Sequence, residues 1–385
     1  MWPYSIQNSS MKNPQILDVY TDFLLSSFAI VTATGLAQLL DNGYSHDQIS
    51  RFLSQGKFDN KDFWKCVKRL IRQVETDTSI LVIDDTLEEK PHSTENELIC
   101  WHFDHCTNKN IKGINIVNFL YCSDILGETD INLPCAFELV YKTEKYYDTK
   151  SKKEKRRSPV TKNEMVRERL RILMQHNQLK FKYVLWDTWF SSKENLDFVH
   201  KDLKKLFVVA LKSNRTLALS EMEKSQGPFI KIEELDLQTN QTYKVWLKGL
   251  DFPTLLVKQI FTNKDGSTGV LYLITNDLEL SYSDICTICK KRWNVENFHK
   301  SLKQNAGLEK SPTKYEVTQS NHIFASMIAF AKLEILKLKQ GTNHFQIKNR
   351  LYIQAVKAAF KELQKLKEEV KYLRQHAILY DLSFS

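Results

Sequence analysis

Three acidic positions in this chain lie where an α/β fold could bring carboxylates together. Asp84 and Asp85 close one apolar run, Asp187 closes a second, and Glu296 lies in the amphipathic segment 288–303. An aspartate taken alone is more often a cap or turn residue, but open sheets build their sites at strand ends. Oxygen ligands from three carboxylates favour Mg²⁺ or Mn²⁺. Two such ions can activate a water or a 3′-hydroxyl, so the joint pattern predicts metal-dependent phosphoryl transfer.

The segment 288–303 has the periodicity of a single amphipathic helix. Its charged side chains recur at helical spacing and form one stripe: Arg292, Glu296, Lys300 and Lys303. Its buried stripe recurs every seven residues: Ile288, Val295 and Leu302. A carboxylate flanked in this way can share a metal ion while its basic neighbours hold a phosphate backbone. A solvated helix with ordinary Glu–Lys pairs is the alternative.

Basic residues are concentrated in two regions of the chain, whose net charge is +9. Residues 331–385 contain 11 Lys or Arg and 5 Asp or Glu, and residues 142–157 contain 8 basic and 3 acidic residues. Two separate basic regions favour a polyanionic partner, which is usually nucleic acid. The alternative is that these lysines serve solubility alone.

The seven cysteines are odd in number and scattered, which suits reduced thiols in a cytosolic protein. Cys286 and Cys289 form a CxxC, but no second pair has the spacing of a structural zinc site, and the segment 100–106 also lacks a companion pair. No signal peptide is evident. Polar residues interrupt the uncharged run 23–40, so we expect a buried helix there rather than a membrane span.

The elements that must position the carboxylates begin with a helical region. Residues 15–75 have helical spacing, and Ser45 is a candidate N-cap within them. We expect residues 1–76 to form a small helical unit ahead of the main sheet. Such a unit serves either DNA binding or packing, and the sequence does not separate the two.

A mixed sheet is predicted after this region. Strand patterns lie at 79–86, 111–122, 135–142, 181–187 and 206–214, a helix pattern lies at 160–178, and Ser192 caps another helix. Three strands followed by alternating helices and strands predict a sheet that begins as a meander. Parallel crossover connections then add the later strands.

The second half of the chain changes from strands to helices. Residues 216–277 have the pattern of a β-rich insertion without a helix, and the chain after residue 281 has helical patterns. The last long helix carries apolar residues near heptad spacing: Val356, Phe360, Leu363, Leu366, Val370 and Leu373. This stripe is either a dimer seam or a surface that packs within the chain, and the small number of heptads favours internal packing.

These motifs together resemble the DDE insertion-sequence transposases, whose third acidic residue lies in a Tyr-x2-Arg-x3-Glu-x6-Lys signature. Arg292, Glu296 and Lys303 match that spacing, and Lys300 matches a frequent extra lysine. The segments IDDT, VLWDTWFSSKENL and LKSNR also resemble this group, and the resemblance covers residues 20–335. The tyrosine of the signature is replaced by Cys289, so the contact that this tyrosine makes is absent or supplied elsewhere.

The resemblance implies an α/β fold with a ribonuclease-H-like mixed sheet, interrupted by a β-rich insertion and flanked by helical N- and C-terminal regions. The core then comprises residues 77–215 and 278–330, the insertion residues 216–277, and a basic helical region residues 331–385.

The implied catalytic and metal-binding residues are Asp85, Asp187 and Glu296, with two Mg²⁺ or Mn²⁺ ions as cofactors. Asp85 is preferred to Asp84 because it directly precedes Thr86, as in the Asp-Thr form of the motif. Side chains alternate along a strand, so the two neighbouring aspartates cannot both face the metal.

The implied activity is cut-and-paste transposition. A homodimer would bind double-stranded DNA at terminal inverted repeats, free a 3′-hydroxyl and join the ends to target DNA, in the nucleoid of a prokaryotic cytoplasm. The implied DNA contacts are Arg292, Lys300, Lys303, Lys212, Arg215 and Trp246. Trp246 either stacks on an extruded base or is buried. The rival interpretations are a DNA-binding relic without catalysis and a ribonuclease-H-like nuclease that cuts without joining.

Overall fold

A computed structural model describes residues 13–104, 107–123, 130–262 and 265–375. The helices are α1 (Pro14–Ser26), α2 (Ala33–Leu39), α3 (His46–Ser54), α4 (Asn60–Val74), α5 (Lys162–Gln175), α6 (Lys193–Asp197), α7 (Glu221–Gln226), α8 (Tyr282–Lys290), α9 (Trp293–Gln304), α10 (Glu316–Gln340) and α11 (His344–Gln375). A π turn over Phe198–Asp202 continues α6, and short 3₁₀ turns lie at Ile232–Glu234 and Leu308–Lys310.

The strands are β1 (Ile80–Glu89), β2 (Cys100–Asp104), β3 (Lys109–Ser123), β4 (Ile131–Leu139), β5 (Glu144–Asp148), β6 (Lys153–Arg157), β7 (Tyr183–Leu185), β8 (Leu206–Leu211), β9 (Thr216–Ala218), β10 (Ile230–Lys231), β11 (Tyr243–Leu247), β12 (Thr254–Thr262) and β13 (Thr268–Thr275). One large sheet has the order β10-β9-β11-β12-β13-β8-β7-β1-β3-β2, and β4 also pairs with β3. The result is a mixed α/β architecture with an open sheet.

The predicted order of strands at the centre of the sheet is confirmed. β1 pairs antiparallel with β3, and β3 pairs antiparallel with β4, which is the expected meander. β7 then joins β1 in parallel, and β8 joins β7 in parallel, as the crossover connections through α5 and α6 predict. The sequence did not predict β2, which pairs with the first part of β3.

The helical character of the N-terminal region is confirmed for its described residues, and α1, α3 and α4 pack on α10. Ser45 caps α3 through a capping box in which the Ser45 hydroxyl accepts from Gln48 N–H and the Gln48 side chain accepts from Ser45 N–H. The expected single helix over 23–40 is wrong. The chain leaves the helix after Ser26, and Ile30 in the connection is exposed. Contact of this region with DNA stays a prediction.

The β-rich character of residues 216–277 is present, but the expected absence of a helix is wrong because α7 lies among the strands. β13 pairs antiparallel with β8, so these strands extend the main sheet through continuous hydrogen bonding. The boundaries of an insertion therefore stay a prediction. The basic segment 142–157 contains an antiparallel hairpin of β5 and β6.

The helical C-terminal region contains one long buried helix and one long exposed helix. α10 is buried along most of its length, from Gln319 to Ile335, because it packs on β4 and on the N-terminal helices. Among its described side chains, α11 is buried only near its start, at His344, Ile347 and Lys348. Its heptad-like residues from Val356 to Val370 are exposed, so internal packing of this stripe is wrong for the described positions. Leu373 lies outside the described side chains.

Among the described residues, no helix combines the length and hydrophobicity that a membrane crossing needs.

Candidate active site

The register of the central strands places Asp84 beside Asp187. β1 and β7 run in parallel with Val82 opposite Leu185, and two residues further along each chain are Asp84 and Asp187. Side chains two residues apart on a strand point to the same face of the sheet. Burial raises the pKa of Asp84 to about 7, and the negative charges of Asp187 and Asp85 contribute to the same shift. The two carboxylates therefore repel each other across one edge of the sheet.

Asp85, the next residue on β1, has its own partners. Its carboxylate accepts a hydrogen bond from Asn115 at 2.6 Å and forms an ion pair with Lys162 at 3.0 Å. Asp84 instead lies directly opposite Asn118 on β3. The register of β1 and β7 places Asp84 level with Asp187, and the choice between Asp84 and Asp85 as the metal-binding residue stays a prediction.

Asp187 is held in the turn between β7 and α6. Its Oδ1 accepts from Trp189 N–H at 2.9 Å, and its carbonyl accepts from the Ser191 hydroxyl at 3.1 Å. Burial raises the pKa of Asp187, and the charge of Asp85 raises it further, while Trp189 N–H and Arg292 oppose the shift. Ser192 then caps α6, as the sequence predicted.

Glu296 lies in the first turn of α9, after a break in the expected helix. The prediction of one helix over 288–303 is wrong, because a tight turn separates α8 from α9. Arg292 N–H donates to the carbonyl of Cys289 at 3.0 Å, and Val295 N–H donates to the carbonyl of Arg292 at 3.1 Å. These are bonds between residues three apart, which are tighter than those of an α-helix.

Arg292 connects Glu296 to the two aspartates. Its guanidinium lies 3.2 Å from the Glu296 carboxylate, which is exposed to solvent. The positive charge of Arg292 also opposes the upward shifts in the pKa of Asp84 and of Asp187. One cation therefore acts on all three acidic side chains, and it compensates part of their negative charge.

Two contacts hold α9 on the Asp84 face of the sheet. His299 Nε2 lies 3.0 Å from Asn118 Nδ2, and Lys303 Nζ donates to the carbonyl of Leu87 at 2.8 Å. Burial lowers the pKa of His299 to about 3, so its ring is neutral and accepts from the Asn118 amide. Sequence reasoning missed Asn118 and His299. The available signals were the spacing of His299 three residues after Glu296 and the polar Asn118 within an apolar strand.

A basic cavity of about 250 Å³ lies beside Asp187. It is lined by Asn163, Thr188, Trp189, Ser191, Ser192, Leu211, Lys212 and Arg215. The structure thus brings two of the predicted DNA contacts, Lys212 and Arg215, next to the turn that holds Asp187. Lys162 Nζ lies 5.0 Å from the centre of the Trp189 ring, and this exposed tryptophan was not predicted as a site residue.

The other predicted DNA contacts lie in different surroundings. Trp246 is buried, with 9% of its surface exposed, and lies opposite Ala218 in a strand pair. This matches the alternative of a buried ring, and stacking of Trp246 on an extruded base stays a prediction. Lys300 is on the surface of α9, with its Nζ 5.2 Å from the centre of the Phe345 ring. Lys303 bridges to Glu309 at 3.5 Å as well as to β1.

Cys289, at the position of the signature tyrosine, contributes a backbone contact to the site. Its carbonyl accepts from Arg292 N–H, and burial raises the pKa of its thiol to about 11. The side chain is therefore a neutral thiol at ordinary pH.

The carboxylate pair fits a divalent cation by its donor chemistry. In the described part of the chain, no three His, Cys, Asp or Glu side chains are arranged to hold a metal ion. Asp84 and Asp187 nevertheless provide oxygen donors whose mutual repulsion a divalent ion would relieve. Glu296 is not part of this pair, but it forms an ion pair with Arg292, whose charge also acts on both aspartates.

Two family models match the chain. Residues 7–228 match the model described as DDE superfamily endonuclease, and residues 152–331 match the model described as transposase DDE domain. The first match contains Asp84 and Asp187, and the second contains Asp187 and Glu296. No curated protein matches the chain. The mixed sheet and its flanking helices are consistent with the ribonuclease-H-like fold of DDE proteins.

Proposed function

The chain belongs to the DDE superfamily endonucleases, and on this premise we propose that it is a transposase that cuts DNA at the ends of a mobile element and joins them to target DNA. What supports the proposal most is the register of β1 and β7, which sets Asp84 level with Asp187, together with Arg292, whose charge acts on both aspartates and which forms an ion pair with Glu296. This is the set of acidic residues that phosphoryl transfer requires, contributed by three distant parts of the chain.

We assign the acidic roles to Asp84, Asp187 and Glu296. Asp84 replaces Asp85 in this assignment because Asp84 is level with Asp187 in the register of β1 and β7, whereas Asp85 is neutralised by its ion pair with Lys162. Asp85 then serves as a positioning residue, since its bonds to Asn115 and Lys162 fix β1 against β3 and α5. Arg292 keeps Glu296 near the pair and contacts the scissile phosphate once that carboxylate is released.

Asp84 and Asp187 would hold a divalent ion, Mg²⁺ or Mn²⁺, and Glu296 would complete the ligands for two ions. When bound, such ions supply the activation of a water or 3′-hydroxyl and the stabilisation of the leaving oxygen. The surrounding protein orients the ligands: Trp189 N–H fixes Asp187, and the contact of His299 with Asn118 fixes α9 on the same face.

The DNA strand that is cut would pass over the basic cavity beside Asp187. Lys212 and Arg215 line this cavity and are suited to phosphate oxygens, which carry most of the affinity for DNA. Lys162 and the exposed ring of Trp189 lie at its other side. Lys300 and Lys303 are further basic residues on α9, and Lys303 Nζ contacts the carbonyl of Leu87 on β1.

We further propose that two copies of the chain pair through α11. Five apolar side chains near heptad spacing are each between 43 and 61% exposed: Val356, Phe360, Leu363, Leu366 and Val370. A second copy of the chain presents the same apolar stripe on its own α11. Contact between the two helices would bury both stripes. A homodimer of this kind supports synapsis of two transposon ends, and the terminal inverted repeats would be its duplex substrate within the prokaryotic nucleoid.

A catalytically impaired DNA-binding protein is the second candidate. What favours it is the engagement of Glu296 by Arg292, together with Cys289 in place of the signature tyrosine. A nuclease that cuts without joining differs from the transposase only in its products.

The deciding experiment uses the DNA that flanks this gene, including any inverted repeats, with purified protein and Mg²⁺ or Mn²⁺. Wild type is compared with Asp84→Asn, Asp85→Asn and Glu296→Gln. Cuts at the repeat ends that disappear in Asp84→Asn and Glu296→Gln support the transposase, and strand-transfer products separate it from a simple nuclease. If wild type and all three variants bind the DNA without cutting it, the protein is the catalytically impaired DNA-binding protein instead of an active transposase. Full activity of Asp84→Asn with loss in Asp85→Asn would overturn the choice of aspartate.

A further inference from the structure

A second surface combines exposed aromatic rings with cations. A groove of about 730 Å³, here called the hairpin groove, lies between β2 and the β5–β6 hairpin. It is lined by Glu95, Trp101, Phe103, Asn110, Lys142, Tyr146, Ser151, Lys153, Glu154, Lys155 and Arg156. None of these residues takes part in the carboxylate site, and the volume is ample for more than one planar ring.

The aromatic residues of the hairpin groove are exposed on one side of an edge strand. Along β2, Cys100 and His102 are buried, whereas Trp101 and Phe103 alternate with them and are about half exposed. Tyr146, on β5, adds a third ring across the groove and is 40% exposed. Apolar rings on the edge of a sheet are costly to leave in water and invite a partner.

The charge around these rings is strongly positive. The hairpin segment 142–157 has 8 basic and 3 acidic residues. Each of the three acids is already paired within the hairpin: Glu144 with Arg157, Asp148 with Lys155, and Glu154 with Lys145. Lys142 Nζ donates to the carbonyl of Trp101, and Lys112 Nζ lies 6.0 Å from the centre of the Trp101 ring. An excess of cations therefore surrounds the aromatic rings.

From this combination we propose that the hairpin groove binds an unpaired DNA strand, with bases stacked on Trp101 and Tyr146 and phosphates on the lysines and arginines of the hairpin. A base within a duplex has both faces covered by its neighbours, so an exposed ring can stack on it only when the strand is unpaired. Stacking on aromatic side chains tolerates any sequence, because every base has two flat faces.

The hairpin groove is electrostatically connected to the carboxylate site. The positive charge of Lys162, which pairs with Asp85, contributes to lowering the pKa of Lys142, after the larger effect of burial. A strand that leaves the carboxylates along this side would reach the rings directly. The choice of DNA as the ligand rests on the proposed function, whereas the preference for an unpaired strand rests on the groove itself.

The test compares neighbouring tyrosines on one strand. Tyr146 lines the hairpin groove, whereas Tyr147 lies next to it in the chain, is more exposed and does not line the groove. Fluorescence anisotropy of the full-length protein would be measured with a labelled single-stranded oligothymidine and with a duplex of the same length. Variants Trp101→Ala and Tyr146→Ala are compared with Tyr147→Ala as the matched control, after circular dichroism has shown equal folding.

We expect Trp101→Ala and Tyr146→Ala each to weaken single-strand binding by roughly 5- to 100-fold, with duplex binding changed less than about twofold. Tyr147→Ala should bind like wild type. Wild type should also bind an abasic oligonucleotide, which retains the phosphates, more weakly than oligothymidine by a similar factor. This comparison needs no variant.

Three results would overturn the proposal: equal effects of Tyr146→Ala and Tyr147→Ala, equal loss on single-stranded and duplex DNA, or undiminished binding of the abasic strand. Equal binding of oligouridine would assign the groove to unpaired nucleic acid in general and remove its restriction to DNA. Binding of polyglutamate as tight as that of oligothymidine would reduce it to a general polyanion surface. Because the readout is binding, failure of the proposed transposase activity would appear separately, as absent cleavage with groove binding intact.

Discussion

Replacing Asp84 with Asn should stabilise the protein in the absence of metal, because it removes a negative charge from a crowded position. Burial and the charges of Asp187 and Asp85 raise the pKa of Asp84 from its ordinary 3.8 to about 7. The folded protein therefore retains a proton that the unfolded chain releases. Stability should fall as pH rises from about 4 to about 7 and remain reduced above that range.

The size of this effect follows from the two pKa values. At about 1.4 kcal/mol per pH unit, the difference between 3.8 and about 7 corresponds to at most about 4 kcal/mol. Partial hydration and an effective dielectric constant near 20 reduce this, and we expect Asp84→Asn to add about 1–2 kcal/mol to the free energy of unfolding at pH 8. At pH 4 the two proteins should differ little.

Asp85→Asn is the matched control, one residue away on the same strand. It removes the charge that pairs with Lys162 at 3.0 Å, so it should lower the free energy of unfolding by about 0.5–1 kcal/mol. Urea denaturation in EDTA at pH 4, 6 and 8 measures all three proteins. Addition of Mg²⁺ at pH 8 should then raise the stability of wild type and leave Asp84→Asn almost unchanged.

Two results would refute the reasoning. If Asp84→Asn is no more stable than wild type at pH 8, the repulsion between Asp84 and Asp187 is absent. If Asp85→Asn is the stabilised variant, the side chain that faces Asp187 is that of Asp85 and not that of Asp84.

Four further predictions test other parts of the structure. Glu296→Gln should abolish DNA cleavage and leave DNA binding nearly intact, as electrophoretic mobility shifts would show; loss of both would make Glu296 structural. Tyr20→Phe should lower the free energy of unfolding by about 1–3 kcal/mol, because the buried Nδ1 of His322 loses its donor at 2.9 Å. Burial lowers the pKa of His322 to about 4, so the free energy of unfolding of wild type should fall as pH drops from 6.5 toward 4. Urea denaturation at several pH values should show a smaller fall over this range for His322→Gln. Phe360→Glu with Leu363→Glu should convert the proposed dimer to a monomer in sedimentation equilibrium; an unchanged mass would remove α11 from the interface.

Local patterns in the sequence determined most of the element order. Apolar runs of strand length gave β1, β3, β7 and β8, and the polar caps Ser45 and Ser192 marked the starts of α3 and α6. These predictions succeed because periodicity and capping depend on neighbours in the chain. The spacing of Arg292 and Glu296 was also local, and the two side chains do meet across one helical turn.

The register between two distant strands, which only the tertiary structure supplies, places Asp84 level with Asp187. The sequence motif favoured Asp85, but the choice depends on the register between β1 and β7, which are about a hundred residues apart in the chain. A shift of one residue in the register would turn the side chain of Asp85 toward Asp187 in place of Asp84. No local sequence pattern fixes this register.

Long-range packing likewise decided which apolar residues are covered. It buried Trp246 beneath a strand pair, left the stripe of α11 in solvent, and placed Trp101 opposite the basic hairpin to form a groove. Sequence determined what each segment is, because a segment's conformation depends mainly on its own residues. Only the tertiary structure decided what each side chain faces, because that depends on partners contributed by distant parts of the chain.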